Sequence, residues 1–253
     1  MKKHLIYVLS KIEYGRISKS KFMEGMDGII ESLRRDFPHV MPLRQQNSFR
    51  FELKAEGAPE VFTDTDPVLT LLSSNKTWGI RIAPNFIILH TRKCDGFVDF
   101  REKILKVIEA VCRNFDITHI SFIGLRYLNA FGYTPENEFS DHFKRLDFLQ
   151  PKMNSWLRAG SNMSARYLVG TEAININSGV MLNAPKYMPD LAELASDIDD
   201  VNKINEGPIA HLDIDSFFGA DELVEFSLDF ISDKIEVLRN NANSVFNDII
   251  IQE

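Results

Sequence analysis

Asp213 and Asp215 stand two residues apart, with His211 before them and Phe217 after, in a run whose alternation predicts a strand over Ile209 to Phe218. Side chains two apart on a strand point to one face, so the carboxylates form a pair. Such a pair can help hold a divalent metal, do acid–base work, or be answered by an arginine across the sheet. The arginine reading is preferred. A hard cation takes about six or more oxygen ligands, and no second acidic motif is spaced to supply them.

Arg126, in the run Gly124-Leu-Arg-Tyr-Leu-Asn129, is the natural counterpart. A guanidinium takes a carboxylate through two parallel hydrogen bonds. Arg126 is expected to pair with Asp213 or Asp215 and so join the two halves of the chain. The alternative is a pocket-facing arginine that holds an anionic ligand. On a regular strand Arg126 and Tyr127 point to opposite sides, and Tyr127 and Asn129 share a side.

Other chemistries find less support. His90 and Cys94, with Cys112 and His119 further on, lack the C-x-x-C or H-x-x-x-H spacing of a zinc site. No Gly-x-Ser-x-Gly elbow, Ser-x-x-Lys motif, G-x-G-x-x-G loop or Walker-type run occurs. No metal and no cofactor is therefore expected, and an enzyme would need an unfamiliar site. Arg16, Lys19, Lys21, Arg34 and Arg35, near Phe49 and Phe51, could follow a phosphate backbone. Glu24, Asp27, Glu31 and Asp36 balance them, and the pI near 5.5 also argues against nucleic acid.

The charge division along the chain points elsewhere. Residues 1–189 hold 26 Lys/Arg against 20 Asp/Glu, and residues 190–253 hold 3 against 16. Asp190, Glu193, Asp197, Asp199, Asp200 and Glu206 crowd a segment over 184–207 that reads as a surface excursion. Asp221, Glu222, Glu225, Asp229 and Asp233 are expected in the early turns of a last helix over 220–248. Carboxylates there suit the helix dipole, but the excess runs past one turn. It predicts a docking surface for a basic protein or for the basic half of a second copy, the alternative being charge that serves solubility alone.

The elements that must position these residues read as follows. Strands are expected at 4–14, 47–55, 117–130, 166–169 and 172–183, and a hairpin turns at Pro84-Asn85 between Trp78 and Thr91. Gly124 is a candidate bulge, and Asn177-Ser178-Gly179 is either strand or turn. Residues 56–67 read as loop, and a short helix is expected around 136–146. Ser18 caps a helix whose stripe is Phe22, Met26, Ile29, Leu33 and Phe37, and Pro38 ends it. A second helix starts at Asp95-Gly96 with the stripe Phe97, Phe100, Ile104, Ile108, Val111 and Phe115. This order predicts an α+β fold of mainly antiparallel sheets packed by long amphipathic helices, with two similar halves, 1–131 and 132–253, or one continuous domain. No apolar run approaches a membrane span, the segment Leu5 to Leu9 is short for a signal peptide, and two cysteines without a pairing pattern suit the cytoplasm.

Three stretches carry a resemblance. They are Trp78-Gly-Ile-Arg-Ile-Ala-Pro-Asn-Phe-Ile-Ile-Leu-His-Thr, Gly96-Phe97-Val-Asp-Phe100, and Gly124-Leu-Arg-Tyr-Leu-Asn129, joined by the late Asp213-Ile214-Asp215 strand. Together they resemble a sporadically distributed bacterial family of conserved hypothetical proteins with no settled activity. The N-terminal strand departs from it at Ile12-Glu13-Tyr14-Gly15-Arg16. The family's patchy distribution implies mobile cargo, such as toxin–antitoxin or anti-phage modules. The expected function is a non-enzymatic cytoplasmic interaction module that binds or neutralises a basic partner encoded nearby and forms a homo-oligomer, most simply a dimer, through a sheet edge or the last helix. The alternatives are a small-ligand or nucleotide sensor, lined by Arg126, Tyr127, Asn129, Asp213 and Asp215, and a metal-dependent hydrolase using the aspartate pair.

Overall fold

Apolar residues at every second position dominate the chain, and ten strands result. In chain order they are β1 (Leu5–Tyr14), β2 (His39–Val40), β3 (Arg44–Glu52), β4 (Glu60–Leu72), β5 (Trp78–Ala83), β6 (Phe86–Thr91), β7 (His119–Gly132), β8 (Met163–Val169), β9 (Glu172–Leu182) and β10 (Pro208–Glu225). Among the described residues four α-helices accompany them: α1 (Lys19–Leu33), α2 (Phe97–Cys112), α3 (Pro189–Ala195) and α4 (Leu228–Ile249). The structure, a computed structural model, describes residues 4–52, 60–132, 139–149, 153, 156 and 159–251, with backbone only for 48–52, 60–62 and 221–222.

The fold is α+β, built on one antiparallel sheet. The strand order is β2-β4-β5-β6-β1-β7-β10-β9-β8, with β3 also on β4. The sheet runs unbroken through both parts of the chain, because β7 pairs with β1 on one side and β10 on the other. Strand alternation then makes two unlike faces. Val8, Ile12, Ile80, Leu89, Leu125 and Ile214 are buried on one face, in the same core as the apolar stripes of α1, α2 and α4. Each such side chain stabilises the fold by about 1.5–3 kcal/mol. The α4 stripe is Ile231, Ile235, Leu238, Ala242, Phe246 and Ile249, at helical spacing. The opposite face carries a smaller cluster in which Tyr7 and Leu128 meet Tyr187, Leu191 and Ile198 from α3 and its flanks.

Several expectations change. The last helix starts at Leu228, where Ser227 Oγ accepts from Phe230 N at 3.3 Å. Glu225 therefore ends β10 instead of lying in a helix, and Leu223 is exposed on that strand. The backbone of Asp221 and Glu222 belongs to β10 too, while their side chains fall outside the described residues. Residues 60–67 are strand. Pro67 is tolerated because β4 has already run past β5, whose last pair is Leu69↔Ile82, so one edge is open there. The expected strand at 47–55 is β3 as far as Glu52, and 53–59 lie outside the described residues. In place of a helix at 136–146 there are single 3₁₀ turns at Phe139–Asp141 and Leu146–Phe148, with 133–138 outside the described residues.

Two glycines have reasons other than those expected. Gly124 is in register with both neighbours, so it is no bulge. A Cβ there would meet the Phe122 ring at 2.7 Å, and that ring stacks on Phe217. Asn177-Ser178-Gly179 is continuous strand. A Cβ on Gly179 would come within 2.1 Å of Ser161 O, so glycine lets the segment around Ser161 cross over β9.

Candidate functional site

The polar residues of the sheet collect on the face that α3 covers. Arg126 Nε and Nη2 donate to Asp213 Oδ1 and Oδ2 at 2.9 and 2.6 Å, and Nη1 donates to Asp190 Oδ2 at 2.7 Å. Asp213 is thus the partner Arg126 takes, although Asp215 is the residue directly opposite it in register. The guanidinium reaches one step diagonally. Burial pulls Arg126 down, but the two carboxylates more than reverse this and hold the guanidinium charged. Burial pushes Asp213 up against the pull of Arg126, and the two parallel hydrogen bonds keep the pair ionised.

Asn177 and Asn175 on β9 stand opposite Asp213 and Asp215 on β10. The result is a ladder of two carboxylates and two carboxamides. Burial, with the charges of Asp213 and Asp190 adding to it, raises Asp215 to about 6, against the pull of Arg126 and an Asn175 hydrogen bond. His211 lies one step further along the same face. Its cross-strand neighbours are Ala130 and Gly179, which offer no side-chain polar atom. Both of its ring nitrogens are therefore without a hydrogen-bond partner among the described residues, although the side chain is buried. Burial lowers its pKa to about 4, so the ring is neutral at pH 7.

A cleft of about 590 Å³ opens over these groups. Its floor holds Arg126, Asn177, His211 and Asp213. Ser161 and Asn162 form one wall, and Met188, Pro189 and Asp190 at the start of α3 form the other. The Ser161 wall is fastened to β9 by Ser161 N donating to Val180 O at 2.8 Å and Val180 N donating to Ser161 Oγ at 2.9 Å.

The α3 wall is fastened by arginines. Arg81 on β5 donates to Asp197 at 2.7 and 3.1 Å, to Glu193 Oε1 at 2.7 Å and to Glu193 O at 3.0 Å. Arg44 lies 3.0 Å from Asp197. Tyr187 Oη donates to Asp199 at 2.5 Å, and Lys186 Nζ to the same oxygen at 2.6 Å. Four carboxylates of the acidic segment, Asp190, Glu193, Asp197 and Asp199, thus meet cations of their own chain. The segment is a clasp across the sheet more than a loose excursion. Behind it, Tyr7 Oη meets His90 Nδ1 at 2.8 Å, and Gly79 leaves room for the His90 ring.

Of the five residues expected to line one pocket, Arg126, Asp213 and Asp215 share the α3 face. Tyr127 and Asn129 point to the helical face, as strand alternation requires, and Asn129 Nδ2 donates to Leu212 O at 3.3 Å. His90 is bonded on the α3 face and Cys94 packs against the core of the other, so they are not brought together. Among the described residues no group of three or more His, Cys, Asp or Glu is arranged to hold a metal ion, and no helix is long and apolar enough to cross a membrane. Of the basic residues that flank the first helix, Arg16 and Lys19 are engaged by Asp64 and Asp66 at 2.5–2.6 Å.

Arg81 and the asparagine pair were missed from the sequence. The signal for the pair was present, since Asn175-Ile176-Asn177 repeats the spacing of Asp213-Ile214-Asp215. No family model matches the chain, and no curated protein matches it in sequence. What the site can do follows from its geometry: it offers a neutral imidazole, two amides and an excess of carboxylate around one arginine whose three nitrogens each hold a carboxylate.

Proposed function

We propose that the chain is a non-enzymatic binding protein whose cleft takes a small polar cation rich in hydrogen-bond donors, such as an amine or guanidinium compound. The observation that carries this reading is His211, a cleft-lining residue whose two buried ring nitrogens have no hydrogen-bond partner among the described residues. An unsatisfied buried polar group costs about 1–3 kcal/mol, and a ligand that satisfies it recovers that cost on binding. The sign of the ligand follows from Arg126. Each of its three nitrogens already donates to a carboxylate, which offsets its charge, and Asp190 is 59% exposed at the rim.

The test is calorimetry and thermal shift with agmatine, arginine and putrescine, set against AMP and acetate. The cations are expected to bind and raise Tm, with the effect lost in Asp190→Asn and His211→Leu. Stabilisation by the anions alone sinks the reading. His211→Leu is also expected to make the free protein as stable as the parent or more so, because no partner is lost when the ring is removed.

Association with a protein partner is a second reading, supported by an exposed sheet edge. Strand β8 is an edge of the sheet, and Tyr167, Leu168 and Val169 on it are 48%, 78% and 41% exposed. A bare apolar edge is a template for another strand, most simply that of a second copy. In this reading the antitoxin or defence role implied by the resemblance is exercised through β8. The acidic segment is less suited to it, because its charges are largely answered within the chain.

A further inference from the structure

A second cavity lies on the opposite side of the sheet from the cleft, between the start of α2 and the middle of α4. Its volume is about 140 Å³. That is several times the roughly 30 Å³ a water occupies in the liquid, and an apolar cavity of about 150 Å³ can hold a benzene-sized ring. Leu5, Val8, Phe97 and Phe100 form its apolar walls. Tyr127, Arg239, Asn243 and Cys94 supply its polar atoms.

Tyr127 is the residue that points to a ligand. The other buried strand tyrosines have partners for their hydroxyls: Tyr14 Oη donates to Ala83 O at 2.7 Å, and Tyr7 Oη meets His90. Tyr127 is 5% exposed, lines this cavity, and its hydroxyl makes no hydrogen bond among the described residues. Burial pushes its pKa up, so it remains a donor at every working pH.

The surroundings favour negative charge. Arg239 lies over the Phe97 ring, 4.6 Å from its centroid, and its contacts with Glu236 and Asn240 are long, at 3.3 and 3.5 Å. Arg101 shares the same Glu236 at 3.2 Å, so two guanidiniums face one carboxylate. Gly96 begins α2 beside the cavity without a side-chain cap, and Asp99 in the first turn answers part of the helix dipole there.

We propose that this cavity is a second ligand site, for a small aromatic carboxylate whose ring lies against Phe97, Phe100, Leu5 and Val8 and whose carboxylate accepts hydrogen bonds from Tyr127 Oη and Arg239. The site is independent of the cation cleft and shares only strand β7 with it, where Arg126 faces one site and Tyr127 the other.

Benzoate is the probe, with benzyl alcohol and benzylamine as the neutral and cationic counterparts. Calorimetry on the full chain is expected to show binding of benzoate in preference to both. Bound benzoate is expected to slow alkylation of Cys94, read by mass spectrometry, with Cys112 as the internal reference. Tyr127→Phe and Arg239→Gln are each expected to weaken benzoate about tenfold, the scale of one hydrogen bond to a charged group. Arg239 is partly exposed on α4, so its replacement leaves the fold in place if Tyr127→Phe does not. Equal binding of benzoate and benzyl alcohol, no benzoate binding, or affinity unchanged in Arg239→Gln overturns the proposal.

Discussion

Arg126 on β7 grips Asp213 on β10 through two parallel hydrogen bonds, while its third nitrogen holds Asp190 on α3. One guanidinium therefore ties two central strands to the helix that walls the cleft. Asp213 is fully buried, so its charge has no water to fall back on. Arg126→Ala is expected to lower unfolding stability by about 3–5 kcal/mol, because it strands a buried carboxylate. The double variant Arg126→Met/Asp213→Leu is expected to lose much less. Urea unfolding of the three proteins, read as a double-mutant cycle, checks this, and additive losses contradict it.

Arg81 is expected to control α3 more than the sheet. Its removal takes a partner from the exposed Glu193 and leaves the buried Asp197 with Arg44 as its cation. For Arg81→Ala a loss of about 2–3 kcal/mol is expected, smaller than at Arg126 because Arg44 still answers Asp197. Hydrogen exchange should localise it. The amides of Ala192, Ser196 and Asp197, which close the turns of α3, should lose protection while those of β1 and β7 keep theirs.

Stability should fall on mild acidification. His211 and His90 are held to about 4 and about 3 by burial, Arg81 adding to the effect at His90, against an ordinary value of 6.5. Between about pH 4 and 6.5 the unfolded chain takes up these two protons and the folded chain does not, so stability rises with pH. Asp215, raised to about 6, acts in the opposite sense, since there the folded state holds the extra proton between about pH 4 and 6. Among these three groups the balance is about one proton, or about 1.4 kcal/mol per pH unit, and the raised Asp213 acts in the same sense as Asp215. Denaturant midpoints at pH 7 and pH 5 measure it. His211→Leu should flatten the profile and Asp215→Asn should steepen it.

Edge strand β8 gives a prediction about assembly. A charge set among its exposed apolar residues should block strand addition. Leu168→Lys is expected to shift a dimer to monomer in sedimentation without changing Tm extrapolated to low concentration. A parent protein that is monomeric at every concentration removes the protein-partner reading at this edge.

Much of the local structure was legible in the chain because it rests on short-range physics. The Pro84-Asn85 hairpin follows from two alternating runs around a turn pair, and it forms with Ala83↔Phe86 as its last rung. The stripe from Phe97 to Val111 could only be a helix buried on one side. The opposed directions of Arg126 and Tyr127 needed nothing beyond strand geometry, and those two side chains now mark the two candidate sites. The start of the last helix was not legible in this way. Leu223 and Phe226 mimic helical spacing, but pairing of Val224 with Ile120 and Glu225 with His119 claims that stretch for the sheet.

Composition and periodicity thus specify an α+β chain of antiparallel strands, the apolar stripes of α1 and α2 and an acidic segment following a basic one, since each depends on residues near one another in the chain. The meeting of Arg126 with Asp213, the clasp of Arg44 and Arg81 on Asp197, and the solitude of His211 between Ala130 and Gly179 depend on which strands become neighbours. That choice belongs to the packing of the whole sheet. It set part of an uneven charge distribution, the carboxylates of Asp190, Glu193, Asp197, Asp199 and Asp213, against arginines and a lysine of the same chain.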